Sequence, residues 1–246
     1  MTTRCLGYLP DAPDARDHLF SAHRASAAFL PSAATVDLPG ITAKNQGSTS
    51  SCVGQAVSQA LRLSYLARMV VCPELSALNV YRFARNIDGS EGDIGTFLRS
   101  GCYAVQRMGC ATEEAAPFVE SRVNDQPSFR SLHSAFDRGG TRRYYRIAAG
   151  NTDAVRRAIA AGFPVVGGWS VDAAFVSSDG RGIQGPCLGE IIGGHAMTIV
   201  GYVDELFTVL GSWGSEYGHD GRIQVTRSFV AQGTDLWALD TDGDAP

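Results

Sequence analysis

Lysine is almost missing from this chain. Of its 21 basic residues, Lys44 is the one lysine and the rest are arginines, and acidic residues outnumber them to leave a net charge of -4. No strongly basic patch stands out, so nucleic acid is not an expected partner. Long apolar runs are also missing: nothing approaches the roughly 18 residues that a membrane-spanning helix needs. The first twenty residues, MTTRCLGYLPDAPDARDHLF, have no apolar core of signal-peptide kind. A cytoplasmic location is the expectation, with no membrane partner. The six cysteines, Cys5, Cys52, Cys72, Cys102, Cys110 and Cys187, include no Cys-x-x-Cys pair. A zinc site is therefore not expected, no metal or cofactor is implied, and reduced thiols are the default. Nothing in the sequence reports the oligomeric state.

What is present is enough apolar residue, 44% of 246, to fill the core of one compact domain in one or two lobes. Residues 1–30, rich in Pro, Asp and Ala, read as an arm of turns and extended chain. It either lies along the body or covers a cleft; the plain arm is the simpler reading. Residues 31–246 form the globular domain. A polar loop, Asn45-Gln46-Gly47-Ser48-Thr49-Ser50-Ser51, runs into Cys52. Val53, Ala56, Val57, Ala60 and Leu61 then share a helical face that Tyr65 and Met69 continue, which predicts a helix over about 51–69 with Ser50 or Ser51 as its cap. Further helices are expected over 75–86, 96–108 and 151–161. In the third, Leu98, Cys102 and Val105 form the core face. Residues 120–142 read as a long connection, with Arg142 and Arg143 on a solvated face. Strands are expected at 143–148, 164–171, 195–203, 206–213 and 222–229. Helices followed by strands is the α+β pattern. The acidic tail, 240–244, reads as solvated.

Cys52 falls in the first turn of its helix, where free N–H groups and the helix dipole favour an anion and thus a lowered thiol pKa. A thiolate nucleophile needs a base, and five histidines are available. His18 and His23 lie in the arm, His133 in the irregular connection and His219 in a turn. His195 alone opens a strongly apolar strand, and Gly193-Gly194 before it suggest close approach of something to the backbone.

Three stretches in order resemble the papain-like cysteine peptidases. Gln46-Gly47-x-x-x-Ser51-Cys52 is similar to the family's Gln-Gly-x-x-Gly-Ser-Cys. Gly194-His195-Ala196-Met197-x-x-x-Gly201-Tyr202 is similar to its His-Ala-x-x-x-x-Gly-Tyr. Ser212-Trp213-Gly214-x-x-Tyr217-Gly218-x-x-Gly221 is similar to its Asn-Ser-Trp-Gly-x-x-Trp-Gly-x-x-Gly. His195 follows Cys52 by 143 residues, as in the family. The resemblance implies a two-lobed α+β fold with a helical first lobe, about 51–108, and an antiparallel, β-barrel-like second lobe, about 164–239. It implies Cys52 as nucleophile in an ion pair with His195, Gln46 as an oxyanion donor beside the Cys52 N–H, and Trp213 packed against the imidazole. Gly95 falls where the family's backbone pairs with extended substrate, and Ala196 also lies on the substrate side.

This sequence departs from the family at the orienting asparagine, whose place is taken by Gly211. Water, another side chain or packing alone must then hold the imidazole. Thr49 and Ser50 replace a cysteine and a glycine, and Cys187 has no recognisable disulfide partner. The expected activity is a narrow thiol-dependent amide or peptide hydrolase working through a Cys52 acyl-thioester. The substrate is a peptide or a small amide or thioester. The alternatives are an acyltransferase, cyclase or biosynthetic hydrolase on the same fold, or a catalytically weakened binding module.

Overall fold

The computed structural model describes residues 4–20, 30–141 and 143–241. His23, Arg142 and residues 242–244 of the acidic tail lie outside them. The first half is built on α1 (Cys52–Leu66), α2 (Ala77–Asp88) and α3 (Leu98–Met108). Periodicity places α1 correctly: Val53, Ala56, Val57, Ala60 and Leu61 are all buried. The helix ends earlier than predicted, however. Met69 has a left-handed backbone (φ 58°) and an exposed side chain, so it does not continue the apolar face. Ser51 is the residue before α1, but its hydroxyl makes no capping bond. In α2, by contrast, the Ser76 hydroxyl accepts from the Asn79 N–H and Gly89 closes the helix in the left-handed region. Cys102 is fully buried, as its helical face predicts.

One stretch read as a connection contains a helix, α4 (Phe129–Arg138). Its large apolar residues, Phe129 and Phe136, point to solvent, while Ser131 and Ala135 face inward. The face that packs is thus marked by small residues, and the periodicity of large ones gives no signal for it. His133 belongs to this helix and pairs with Asp137 at 2.9 Å. Helix α5 (Thr152–Ala160) starts at Asn151, whose side chain accepts from the Ala154 N–H, as expected.

Nine strands are present among the described residues. Two short ones, β1 (Tyr8–Leu9) in the arm and β3 (Thr96–Phe97) just before α3, pair in parallel. The others are β2 (Ala33–Thr35), β4 (Arg143–Ile147), β5 (Val165–Asp172), β6 (Ile191–Val203), β7 (Leu206–Leu210), β8 (Arg222–Thr226) and β9 (Asp235–Asp240). They form one antiparallel sheet in the order β4-β9-β5-β6-β7-β8, with β2 added to β6. Short helices α6 (Ala173–Ser177) and α7 (Arg227–Ala231) follow β5 and β8; the latter replaces the end of the strand expected over 222–229. The α+β division into a helical part and an antiparallel sheet is as expected. The two meet where α1 lies against β6, tied there by the Thr198 hydroxyl, which donates to the Ala56 carbonyl at 3.0 Å. That contact fixes the height of α1's first turn beside the middle of β6.

Candidate active site

The α1–β6 contact brings Cys52 to Ala196: the Ala196 N–H faces the Cys52 thiol, and His195 is the residue before it. Both Cys52 and His195 are completely buried. The Trp213 ring stacks on the imidazole with centroids 4.3 Å apart and planes at 20°. Among the described residues neither imidazole nitrogen has a hydrogen-bond partner. Gly211 contributes nothing here, since the nearest atom to a Cβ built on it would be the Gly221 carbonyl oxygen at 3.8 Å. Of the three ways to hold the ring that the missing asparagine left open, packing by Trp213 is the one visible.

Gln46 is buried and its amide is fixed at both ends. Its Oε1 accepts from the Ser212 hydroxyl at 2.6 Å, and its Nε2 donates to the Thr49 carbonyl at 2.8 Å. The same Nε2 also donates to the Cys5 carbonyl at 3.1 Å, and Trp213 Nε1 reaches that oxygen at 3.4 Å. Cys5 belongs to the arm. The arm therefore does not lie merely along the body; it fills the cleft.

Gly7 sits at the centre of that filling. Its N–H donates to the Gly194 carbonyl at 3.0 Å, and its carbonyl accepts from the Thr96 N–H at 3.0 Å. Gly95, the position expected to pair with extended chain, instead lines the contact: a Cβ there would lie 2.2 Å from the Gly7 oxygen, and its φ is +97°. The pairing donor is the next residue, Thr96. Glycine is required at 7 for the same reason, since a Cβ would lie 1.9 Å from the Ser50 carbonyl oxygen. The glycines before His195 serve the close approach their presence suggested. A Cβ on Gly194 would strike Tyr8, and one on Gly193 would strike Leu6. The Tyr8 ring lies over Gly168, and its hydroxyl bonds Thr234 at 2.7 Å and donates to Asp235. Upstream, the Arg4 guanidinium packs over Tyr217 and Trp213 and donates to the Val176 and Ser178 carbonyls. Leu6, Tyr8, Thr96 and Asp235 were not anticipated from sequence, because their partners are 85 or more residues away along the chain.

This enclosure sets the protonation states. Burial pushes the Cys52 thiol up to about 12, against the pull of backbone N–H groups from Ala196, Val53, Gly7 and Cys52 itself. Burial alone brings His195 down to about 3. With the arm in place burial thus works against the ion pair that the resemblance implied, on both partners. The first-turn N–H groups act in the expected direction, but loss of water outweighs them.

Residues 38–234 match the papain family cysteine proteases. The chain belongs to that family. It is a cysteine peptidase, a hydrolase. Along 96% of its length the peptidase is 25% identical to an uncharacterised peptidase C1-like protein of Acanthamoeba polyphaga mimivirus, covering 87% of that protein. Its fold is similar to that of xylellain, a cysteine protease from Xylella fastidiosa, with a TM-score of 0.87 at 24% identity over 98% of this chain and 97% of the other. Digestive procathepsin L 3 of Tenebrio molitor larval midgut superposes with a TM-score of 0.74 at 16% identity, covering 97% of this chain and 76% of that one. The papain-like α+β architecture thus extends over almost the whole peptidase, arm included.

Proposed function

We propose that this peptidase is a cytoplasmic, narrow-specificity enzyme of two parts: an arm, residues 1–30, that holds it latent, and a catalytic domain, residues 31–246. Cys52 is the nucleophile, His195 the acid–base and Gln46 an oxyanion donor. The observation that carries the reading is the Cys5 carbonyl on Gln46 Nε2: a peptide carbonyl already rests on the donor that the chemistry requires. When the arm leaves, water returns to the pair and the burial that raised Cys52 and lowered His195 is relieved, so that proton transfer from thiol to imidazole becomes favourable. The thiolate then adds to the substrate carbonyl, whose developing negative oxygen is met by Gln46 Nε2–H and the Cys52 N–H. The imidazolium gives its proton to the leaving amine as the C–N bond breaks, leaving a Cys52 thioester. Water attacks that thioester, His195 takes its proton, and the acid product and free thiol return. Gly95, Ala196 and Trp213 lie on the substrate side of this cleft. A narrow substrate fits a site in which only packing orients the imidazole.

The test is peptide turnover by the full chain alongside thiol labelling at acidic pH, read by mass spectrometry. Cys52→Ala must abolish turnover, and a haloacetamide must label Cys52 selectively once the arm is displaced. Full turnover by Cys52→Ala would remove the nucleophile assignment. Preference for an added amine over water as acyl acceptor would replace hydrolysis by acyl transfer.

A further inference from the structure

Beyond Tyr8 the arm reaches a set of donors that converge on carboxylates. The Asp11 carboxylate accepts from the Arg99 backbone N–H in the first turn of α3 at 3.2 and 3.3 Å and from Trp237 Nε1 at 3.2 Å. The guanidinium groups of Arg99 and Arg146 stand 4.0 and 3.9 Å from it. Asp17 accepts from Arg99 Nε and Nη2 at 2.9 and 2.8 Å and from Arg146 Nη1 at 3.3 Å. Both guanidinium groups also lie on the Trp237 ring, 5.7 and 5.1 Å from its centroid.

Every carboxylate within ion-pair distance of Arg99, among the described residues, comes from the arm. Arg146 keeps one partner of the body, Asp235. The α3 N-terminus has no side-chain cap of its own, because Phe97 occupies the cap position. Departure of the arm therefore strips a guanidinium, an indole N–H and a helix end of their acceptor together. These groups are continuous with the cleft. Asp235 accepts from both the Tyr8 hydroxyl and the Asp11 N–H, and β3, which pairs the arm at Thr96, runs directly into α3.

We infer that the paired guanidinium groups of Arg99 and Arg146, where the Asp17 carboxylate sits at 2.8 and 3.3 Å, form a carboxylate-binding subsite, and that the preferred peptide substrates carry an acidic side chain to it. The inference rests on the peptidase reading above. A neutral peptide entering the vacated cleft leaves these donors partly desolvated and unpaired, whereas an Asp or Glu satisfies them with charge-assisted bonds.

The experiment uses the full-length Gly7→Ala protein, in which a side chain at 7 overlaps the Ser50 carbonyl and weakens seating of the arm. Matched quenched peptides with Glu or Gln at each position on either side of the scissile bond are compared by kcat/KM. The expected result is a Glu preference of about tenfold to a hundredfold, confined to one side of the bond. It falls below about threefold, the level of an exposed ion pair, when Arg99→Gln is added, and Arg146→Gln serves as the second variant. No position favouring Glu, or a preference that survives both substitutions, overturns the subsite. If Gly7→Ala cleaves no peptide, the reading of the arm as the latch falls, and the subsite is read by competition instead. A fluorescent peptide of residues 4–20 is bound to the protein and displaced by the same Glu and Gln peptides. Displacement by Glu peptides at about tenfold lower concentration supports the subsite, and equal displacement overturns it.

Discussion

Substituting Gly7→Ala tests the latch at its tightest point. The added Cβ would stand 1.9 Å from the Ser50 carbonyl oxygen, and neither side has slack. Gly7 is pinned through its N–H to Gly194 and through its carbonyl to Thr96. Ser50 is held by its own N–H, which donates to both Asp93 oxygens at 3.0 and 3.1 Å. Seating the variant arm requires overpacking strain of about 1–3 kcal/mol or loss of both Gly7 hydrogen bonds at roughly 0.5–1.5 kcal/mol each. A shift of even about 2 kcal/mol raises the open population roughly 30-fold. The assay is the rate of haloacetamide labelling of each cysteine, read by mass spectrometry. Cys52 should be labelled about 30-fold faster in the variant by the same arithmetic, with partly exposed Cys187 unchanged as the internal standard. The pH profiles should also differ. In the closed parent burial holds the thiol up at about 12, so the closed state itself offers almost no thiolate to the reagent near pH 7. In the variant, labelling should persist into mildly acidic solution. An unchanged Cys52 rate in a well-folded Gly7→Ala protein would refute the claim that this contact closes the site.

Three further outcomes follow from the geometry. Burial, and next to it Asp235, push the Asp11 carboxyl up to about 6, against the opposing pull of Arg99. The docked arm thus holds a proton that the free arm releases. Through this group, flanked by Asp235, Arg99 and Arg146, docking strengthens as pH falls through 6, by up to about 10²-fold near pH 4. Titrating the fluorescent arm peptide against the Gly7→Ala protein checks this, and Asp11→Asn should remove the dependence; binding that weakens over that range counts against it. At Gly211 the space around a Cβ is open and the backbone is not left-handed, so Gly211→Asn should fold with an unchanged melting temperature and with turnover equal or higher. A large loss of turnover with Cys52 still reactive would mean that something else uses the space facing His195. Cys102→Ala should leave turnover intact and lower stability by roughly 1 kcal/mol, as judged by denaturant midpoint, because Cys102 is buried between α1 and α3.

The parts of this molecule that were legible in sequence are those whose cause is local or whose motif is contiguous. The α1 face, the buried face of α3 at Cys102 and the three motifs around Cys52, His195 and Trp213 are of this kind. Helix α4 was not, because its buried side is Ser131 and Ala135 while its phenylalanines face water. Strand β9 escaped because Asp235-Leu236-Trp237-Ala238-Leu239-Asp240 is buried at every position, so no alternation marks it. The role of the arm lay between these cases. Gly193-Gly194 announced that something would come close to the backbone, but not what. The partners of Gly7 and Tyr8 are set by how β3, β5 and β6 meet, and no local pattern in residues 4–9 records that. The opposing shifts of Cys52 and His195 were illegible for the same reason: they follow from burial by segments far apart in the chain.

Gly7 bridges two structures that otherwise stand on either side of the cleft. It gives its N–H to β6 at Gly194 and takes the N–H of Thr96 at the head of α3. The amide protons of Gly7 and Thr96 are therefore protected while this one residue spans both sides. Their exchange with deuterated solvent is a gauge of the closed state that needs no substrate, no probe and no substitution. Because both protons are released by the same event, they should share one protection factor, whatever the protection of their neighbours.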